Sequence, residues 1–269
     1  MNREVRTAAW AAAGLLLSAL PAFAEPVGTD LFNYENGSIA DRAGGTGWAS
    51  ERTNEVGAAP SAPSDWNVAF GAANVVNGAL VTQESGAIRE FNGPSEGDMA
   101  PSNEREGAFR GAGNVFFGFD MTRQAGAAWS GASSFDFGGE RIFFGVPGGQ
   151  TTPQTYFGIE ESGQGQNFTT IPVVAGQTYR IVAEVDFEAD LLSLWVNPDA
   201  GDESTPDVTR AYTATNWSTA VRLASGGTGP TTWDNLVVAT NWNDPGLVPE
   251  PGSLALLGVG ALGLLWRRR

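Results

Sequence analysis

The chain has 269 residues, 15 basic against 30 acidic side chains for a net charge of -15, and neither Cys nor His; every basic residue is Arg. Those absences exclude disulfide frameworks, thiol nucleophiles, Ser-His-Asp triads, Cys- or His-ligated metals, Schiff bases and the Lys-dependent phosphate loop. The acidic balance excludes nucleic acid as a partner, because phosphate binding needs a basic face, while 42% hydrophobic and 10% aromatic residues suffice for a packed core.

Residues 1–24 read as a secretory signal. Arg3 and Arg6 form a basic start, Ala8 to Leu20 is a 13-residue apolar run, and Ala22 and Ala24 place small side chains where a signal peptidase inspects the chain. Cleavage is expected after Ala24, with signal peptidase as the first processing partner.

From residue 25 to residue 244, short apolar stretches alternate with Gly, Pro, Asn, Ser and Asp clusters, and no run of 12 or more residues has helical periodicity. Strands are expected at 66–70, 79–82, 87–91, 115–122, 134–137, 141–146, 156–160, 178–187, 191–197, 221–224 and 233–240. Eleven strands separated by turns, without a long linker or an internal repeat, predict one all-β domain, a β-sandwich, over 25–244. The clearest strand is 178–187, TYRIVAEVDF. It puts Tyr179, Ile181, Ala183, Val185 and Phe187 on a core face and Arg180, Glu184 and Asp186 on a wet or paired face. Glu188 to Asp190 then turn the chain into a partner strand carrying Trp195.

The opening Leu31-Phe32-Asn33-Tyr34, Asn36-Gly37-Ser38 and Gly44-Gly45-Thr46-Gly47-Trp48, the central stretch from Tyr179 to Pro198 and the closing Trp233 to Val238 are similar to laminin-G-like or concanavalin A-like domains of exported bacterial proteins. The resemblance spans nearly the whole body and implies a jelly-roll β-sandwich; because its motifs are strand and turn residues, it implies fold more than activity.

Three constellations are candidate sites. Glu184-Val185-Asp186-Phe187-Glu188 matches the ExDxE spacing of laminarinase-like glycoside hydrolases. In a strand that spacing sets three carboxylates on one face about 7 Å apart, as a nucleophile, helper and acid require, although strand alternation alone accounts for the same residues. Asp199, Asp202 and Glu203 cluster in the loop NPDAGDE, where Ca²⁺ is the one candidate cofactor; a solvated acidic loop is the simpler reading. Of the seven Trp in the body, Trp195 and Trp233 are expected in the core. Trp129, in the Gly/Ala/Ser-rich loop GAAWSGASS, and Trp217, within TATNWST, are expected to be exposed platforms for sugar.

The end of the chain, 245–269, has its own organisation. Pro249, Glu250 and Pro251 precede an uncharged apolar run from Ser253 to Trp266, and Arg267, Arg268 and Arg269 finish the chain. Fourteen residues make a helix of about 21 Å against a hydrocarbon core of about 30 Å, a short transmembrane helix over 253–266 that snorkelling arginines extend on the cytoplasmic side. VPEP, an apolar helix and an arginine cluster, in that order, resemble the PEP-CTERM sorting signal. The resemblance implies export, an exosortase as processing partner and Pro249, Glu250 and Pro251 as the recognised motif. Removing 1–24, which hold two arginines and one glutamate, and 249–269, which hold three arginines and one glutamate, leaves 10 Arg against 28 acids: a body at -18. The whole reads as an exported, non-catalytic surface or matrix protein with polysaccharide as the ligand to test. A laminarinase-like hydrolase using Glu184 and Glu188 is the alternative.

Overall fold

The computed structural model describes residues 27–46, 48, 65–90, 109–110, 114–136, 139–150, 155–212, 217–218, 220–244 and 246–248. The expected signal segment with Ala22 and Ala24, the motif Pro249 to Pro251, the apolar run 253–266 and Arg267 to Arg269 lie outside these residues.

The described residues form strands and no helix. In chain order the strands are β1 (Gly28–Asp30), β2 (Gly37–Ser38), β3 (Asn67–Phe70), β4 (Asn74–Val76), β5 (Ala79–Thr82) and β6 (Ser85–Glu90). Next come β7 (Phe109–Arg110), β8 (Asn114–Arg123), β9 (Ala127–Asp136), β10 (Gly139–Val146), β11 (Tyr156–Glu161) and β12 (Gly165–Pro172). The last are β13 (Thr178–Asp186), β14 (Leu191–Val196), β15 (Val208–Ala211), β16 (Trp217–Ser218), β17 (Ala220–Gly227) and β18 (Thr231–Ala239). A nine-stranded sheet runs β15-β14-β13-β8-β18-β5-β4-β2, with β1 also on β18, and a seven-stranded sheet runs β12-β11-β10-β9-β17-β6-β3. Every pairing is antiparallel, and the chain passes repeatedly between the two sheets, the interleaving of a jelly-roll sandwich.

Alternation explains the core. Val115, Phe117, Phe119 and Met121 of β8 and Ile181, Ala183 and Val185 of β13 point inward and meet Ala132, Phe144, Phe157, Ile159, Val221 and Leu223 of the other sheet. Burying each of the large side chains among them contributes about 1.5–3 kcal/mol. Local chemistry sets the turns: Asn77 and Gly78, both at positive φ (52° and 77°), form the two-residue turn that joins β4 to β5. Asp186 Oδ1 accepts hydrogen bonds from the Glu188 and Ala189 amides at 2.9 and 2.8 Å and closes the expected β13–β14 hairpin, with Asp186 paired to Leu191.

At one end of the core a buried carboxylate gathers the N-terminal segment. Asp30 Oδ2 pairs with Arg89 Nη1 at 2.7 Å and also accepts from Trp66 Nε1 at 2.7 Å and Tyr34 Oη at 2.6 Å. The Arg89 guanidinium carbon lies 4.5 Å from the Trp48 ring centroid. The opening motif that carried the family resemblance is thus a structural plug.

Two expectations are corrected. The stretch GAAWSGASS is not a loop: it lies within or just before the ten-residue strand β9, whose small residues fit because large side chains of neighbouring strands lie across them. The second face of β13 is not uniformly wet. Val182 there joins Phe116, Trp195, Val237, Ala239, Trp242, Leu247 and Val248 in a second apolar cluster outside the nine-stranded sheet. Residues 240–244 and 246–248 fold back to make it, and Arg180 fastens them, donating to the carbonyls of Leu247 at 3.0 Å, Asn235 at 2.7 Å and Gly246, and to Asp120 Oδ1 at 3.2 Å.

Candidate functional site

The outer face of the seven-stranded sheet carries a row of aromatic rings. In β9, Ala132 faces the core and Ser130 bonds Thr231 between the sheets, so Trp129, Gly131 and Ser133 face out. The Trp129 ring lies 6.3 Å from that of Phe70 at the end of β3 and 6.0 Å from that of Phe143 in β10.

Each ring lies across a glycine on a neighbouring strand. A Cβ on Gly226, the cross-strand partner of Trp129, would stand 2.1 Å from the indole nitrogen; one on Gly86, opposite Phe70, would stand 2.8 Å from that ring. On Gly131 it would meet Phe143 at 2.5 Å, and on Gly158 it would meet Phe168, its partner in β12, at 2.8 Å. Glycine weakens a strand unless a neighbour needs the space; here four rings occupy it, Trp129 tilted 39° to Phe70 and set edge-on, at 71°, to Phe143. Phe70 and Phe168 remain 37% and 40% exposed, uncommon for large apolar side chains.

Phe70, Trp129 and Phe143 line a cavity of about 380 Å³ whose polar margin is Arg222, Glu160 and Ser162. Arg222 stacks over Phe70 at 5.8 Å and donates from Nη2 to Ser133 Oγ at 3.2 Å, while Glu160 accepts from Gln166 Nε2 at 2.7 Å. An apolar floor with a few fixed polar groups is the composition of a small-ligand site, and the volume is within the range of about 300–1,000 Å³ usual for one. Sequence reasoning singled out Trp129 but missed Phe70, Phe143, Glu160 and Arg222. The available signal was glycine at 86, 131, 158 and 226, inside strands, where glycine is disfavoured.

The remaining expected site residues lie elsewhere. Glu184 and Asp186 are on the outer face of the other sheet, and Glu188 is on the exposed hairpin turn. Glu184 Oε1 accepts from Asn114 Nδ2 at 2.7 Å; burial, reinforced by the charge of Asp186, raises its pKa to about 7. Asp186 is engaged by the turn amides. In the acidic loop, Asp202 Oδ2 accepts from the Asp199 amide at 2.8 Å and the Asp202 carbonyl accepts from Trp195 Nε1 at 2.8 Å, so these residues shape the loop. Among the described residues no group of three or more carboxylates is placed to hold a metal ion. Trp195 is buried, in the outer cluster rather than the main core, and Trp233 is in the main core. The Trp217 side chain lies outside the described ones; its backbone pairs with Arg110.

The class that the fold defines is an all-β, two-sheet jelly-roll sandwich, here with an aromatic groove on one outer face. More particularly, residues 247–269 match the family model described as the PEP-CTERM protein-sorting motif, so the chain carries that motif, which implies an exported protein processed by an exosortase. Among the described residues no helix is long and apolar enough to cross a membrane. No curated protein matches the chain. Similar solved structures include a sialidase, with a TM-score of 0.43 and 11% identity over 65% of this chain and 17% of that one. Others are the CBM2 module of Lactobacillus casei BL23 phage J-1 evolved Dit, at 0.40 and 12% over 63% and 79%, and the family 7 polysaccharide lyase AlgAT5, an alginate lyase, at 0.39 and 13% over 62% and 81%. The chain spans about a sixth of the length of that sialidase.

Proposed function

We propose that this is an exported, non-catalytic surface or matrix protein that binds polysaccharide in the groove floored by Phe70, Trp129 and Phe143. The observation that carries the reading is the row of rings packed over Gly86, Gly226 and Gly131 and bordered by Arg222 and Glu160. Flat apolar faces suit the C–H faces of sugar rings, and the margin supplies donors and acceptors for hydroxyls. Anchoring by the apolar run 253–266, with Arg267 to Arg269 inside the cell, belongs to the same reading and keeps the body outside until processing. A glycan array tests it: the wild-type body is expected to retain at least one polysaccharide class and Trp129→Ala to lose it. No binding across the array would leave the protein a structural role alone.

A second reading, hydrolysis using Glu184 and Glu188, meets an opposing observation: Glu184, first in the ExDxE order and so the nucleophile, has its pKa pushed up to about 7 by burial, whereas a nucleophile acts as the ionised carboxylate. Release of reducing sugar from β-glucans by the wild type and its loss in Glu184→Gln would support it; no hydrolysis by the wild type would remove it.

A further inference from the structure

The outer cluster on the nine-stranded sheet ends where the sorting motif begins. Leu247 is fully buried and Val248 is 9% exposed, and Pro249 follows directly. Trp242 packs on Trp195 at 4.8 Å between ring centroids and donates from Nε1 to the Ala200 carbonyl at 3.1 Å. Asp244 Oδ2 accepts from the Thr240 and Asn241 amides at 3.1 and 3.2 Å, and the Leu247 amide bonds back to the Asp244 carbonyl at 3.1 Å. Gly118, in the central strand β8, leaves room for this clasp: a Cβ there would stand 2.5 Å from Arg180 Nη2 and 2.9 Å from a Leu247 methyl. Residues 240–244 and 246–248 are therefore built onto the middle of the sheet, on β13, β8 and β18.

Only Pro249, Glu250, Pro251 and Gly252 separate this clasp from the apolar run beginning at Ser253. Four residues reach at most about 14 Å even when fully extended. A compact body of about 220 residues has a radius of gyration of about 17 Å. The tether is thus shorter than the body's radius and leaves from the centre of one face, so the body has no room to swing its opposite face to a surface in which the run is embedded. From this we infer that, before processing, the sandwich is held with the outer face of its nine-stranded sheet against the lipid surface and its Phe70–Trp129–Phe143 groove turned outward. The inference rests on the anchoring reading above. Asp120 and Asp234, beside the clasp, give this face no attraction for anionic headgroups, so the short tether sets the orientation.

The absence of cysteine makes the test clean. Full-length protein with Asn243→Cys, on the exposed turn of the clasp, or Ser162→Cys, on the groove margin, is labelled with a fluorophore. It is then reconstituted into phosphatidylethanolamine/phosphatidylglycerol vesicles bearing headgroup nitroxides. The Asn243 probe should be quenched at least about threefold more than the Ser162 probe, because the two sites are separated by more than the ~10 Å between sheets. Inserting about twelve Gly/Ser residues between Val248 and Pro249, a flexible span of about 20 Å, should bring the ratio toward one. Equal quenching in the uninterrupted chain, with protein floating with the vesicles, overturns the orientation and leaves the anchor standing; failure to float overturns the anchor and the orientation with it.

Discussion

Asp30 shows how much one buried side chain carries. It is the shared acceptor for Arg89, Trp66 and Tyr34 in a site closed to solvent, where burial lowers the Arg89 pKa and the Asp30 charge opposes that shift. Burial and the bond to Asp30 likewise push the Tyr34 phenol well above its ordinary value. Asp30→Ala would take away the acceptor shared by Arg89, Trp66 and Tyr34 and is expected to lower stability by about 3–5 kcal/mol in urea unfolding. Glu184 has the opposite character. Its pKa is raised in the folded state from 4.5 to about 7, so the folded chain holds its proton more tightly than the unfolded chain does. Its contribution is most favourable below pH 4.5 and is lost as pH rises through 7. Glu184→Gln should therefore raise stability above pH 7 and flatten the decline between pH 4.5 and 7, read from urea midpoints across that range. An unchanged pH profile would remove burial as the cause of the shift.

At the scale of elements, strand pairing creates the groove by bringing rings and glycines together. Gly226→Ala would drive a methyl into the Trp129 indole; the ring must tilt off the sheet, at a cost of about 1–3 kcal/mol. Gly201→Ala, with open space around it, serves as the control and should leave the thermal midpoint unchanged. This pairing also explains what could be read beforehand. Thr178 to Asp186 announced itself because its inward residues alternate without exception, and the hairpin after it because Asp186 and its successors favour a turn. Of Ala127 to Asp136 only the end, from Ser134, did so, because Ala, Gly and Ser carry little strand propensity; the rest is a strand because Phe143 and its other neighbours across the sheet need small partners there. The clasp was hidden for a related reason: Arg180 and Leu247 are 67 residues apart, and nothing local marks them as partners. Arg222 and Glu160 meet Trp129 only once β17, β9, β10 and β11 are in register.

For the whole molecule, the two outer faces have different characters. One holds the approach to the sorting motif under Arg180 and Trp242, and the other carries the aromatic groove. The body's charge of -18 keeps it soluble and repels polyanions at long range, so recognition in the groove should rest on stacking and hydrogen bonding and should change little with salt. Titration calorimetry at low and high salt, with a polysaccharide retained on the array, reads this directly. Binding that collapses between the two would indicate an electrostatic site centred on Arg222 instead.

The most direct test of the account is that titration carried out on three proteins: wild type, Trp129→Ala and Glu184→Gln, with folding of each checked by its thermal midpoint. Trp129→Ala should bind at least about tenfold more weakly, a loss of about 1.4 kcal/mol, while Glu184→Gln should bind as the wild type does. Full affinity in Trp129→Ala, or loss of affinity in Glu184→Gln alone, would contradict it and place the ligand on the other sheet.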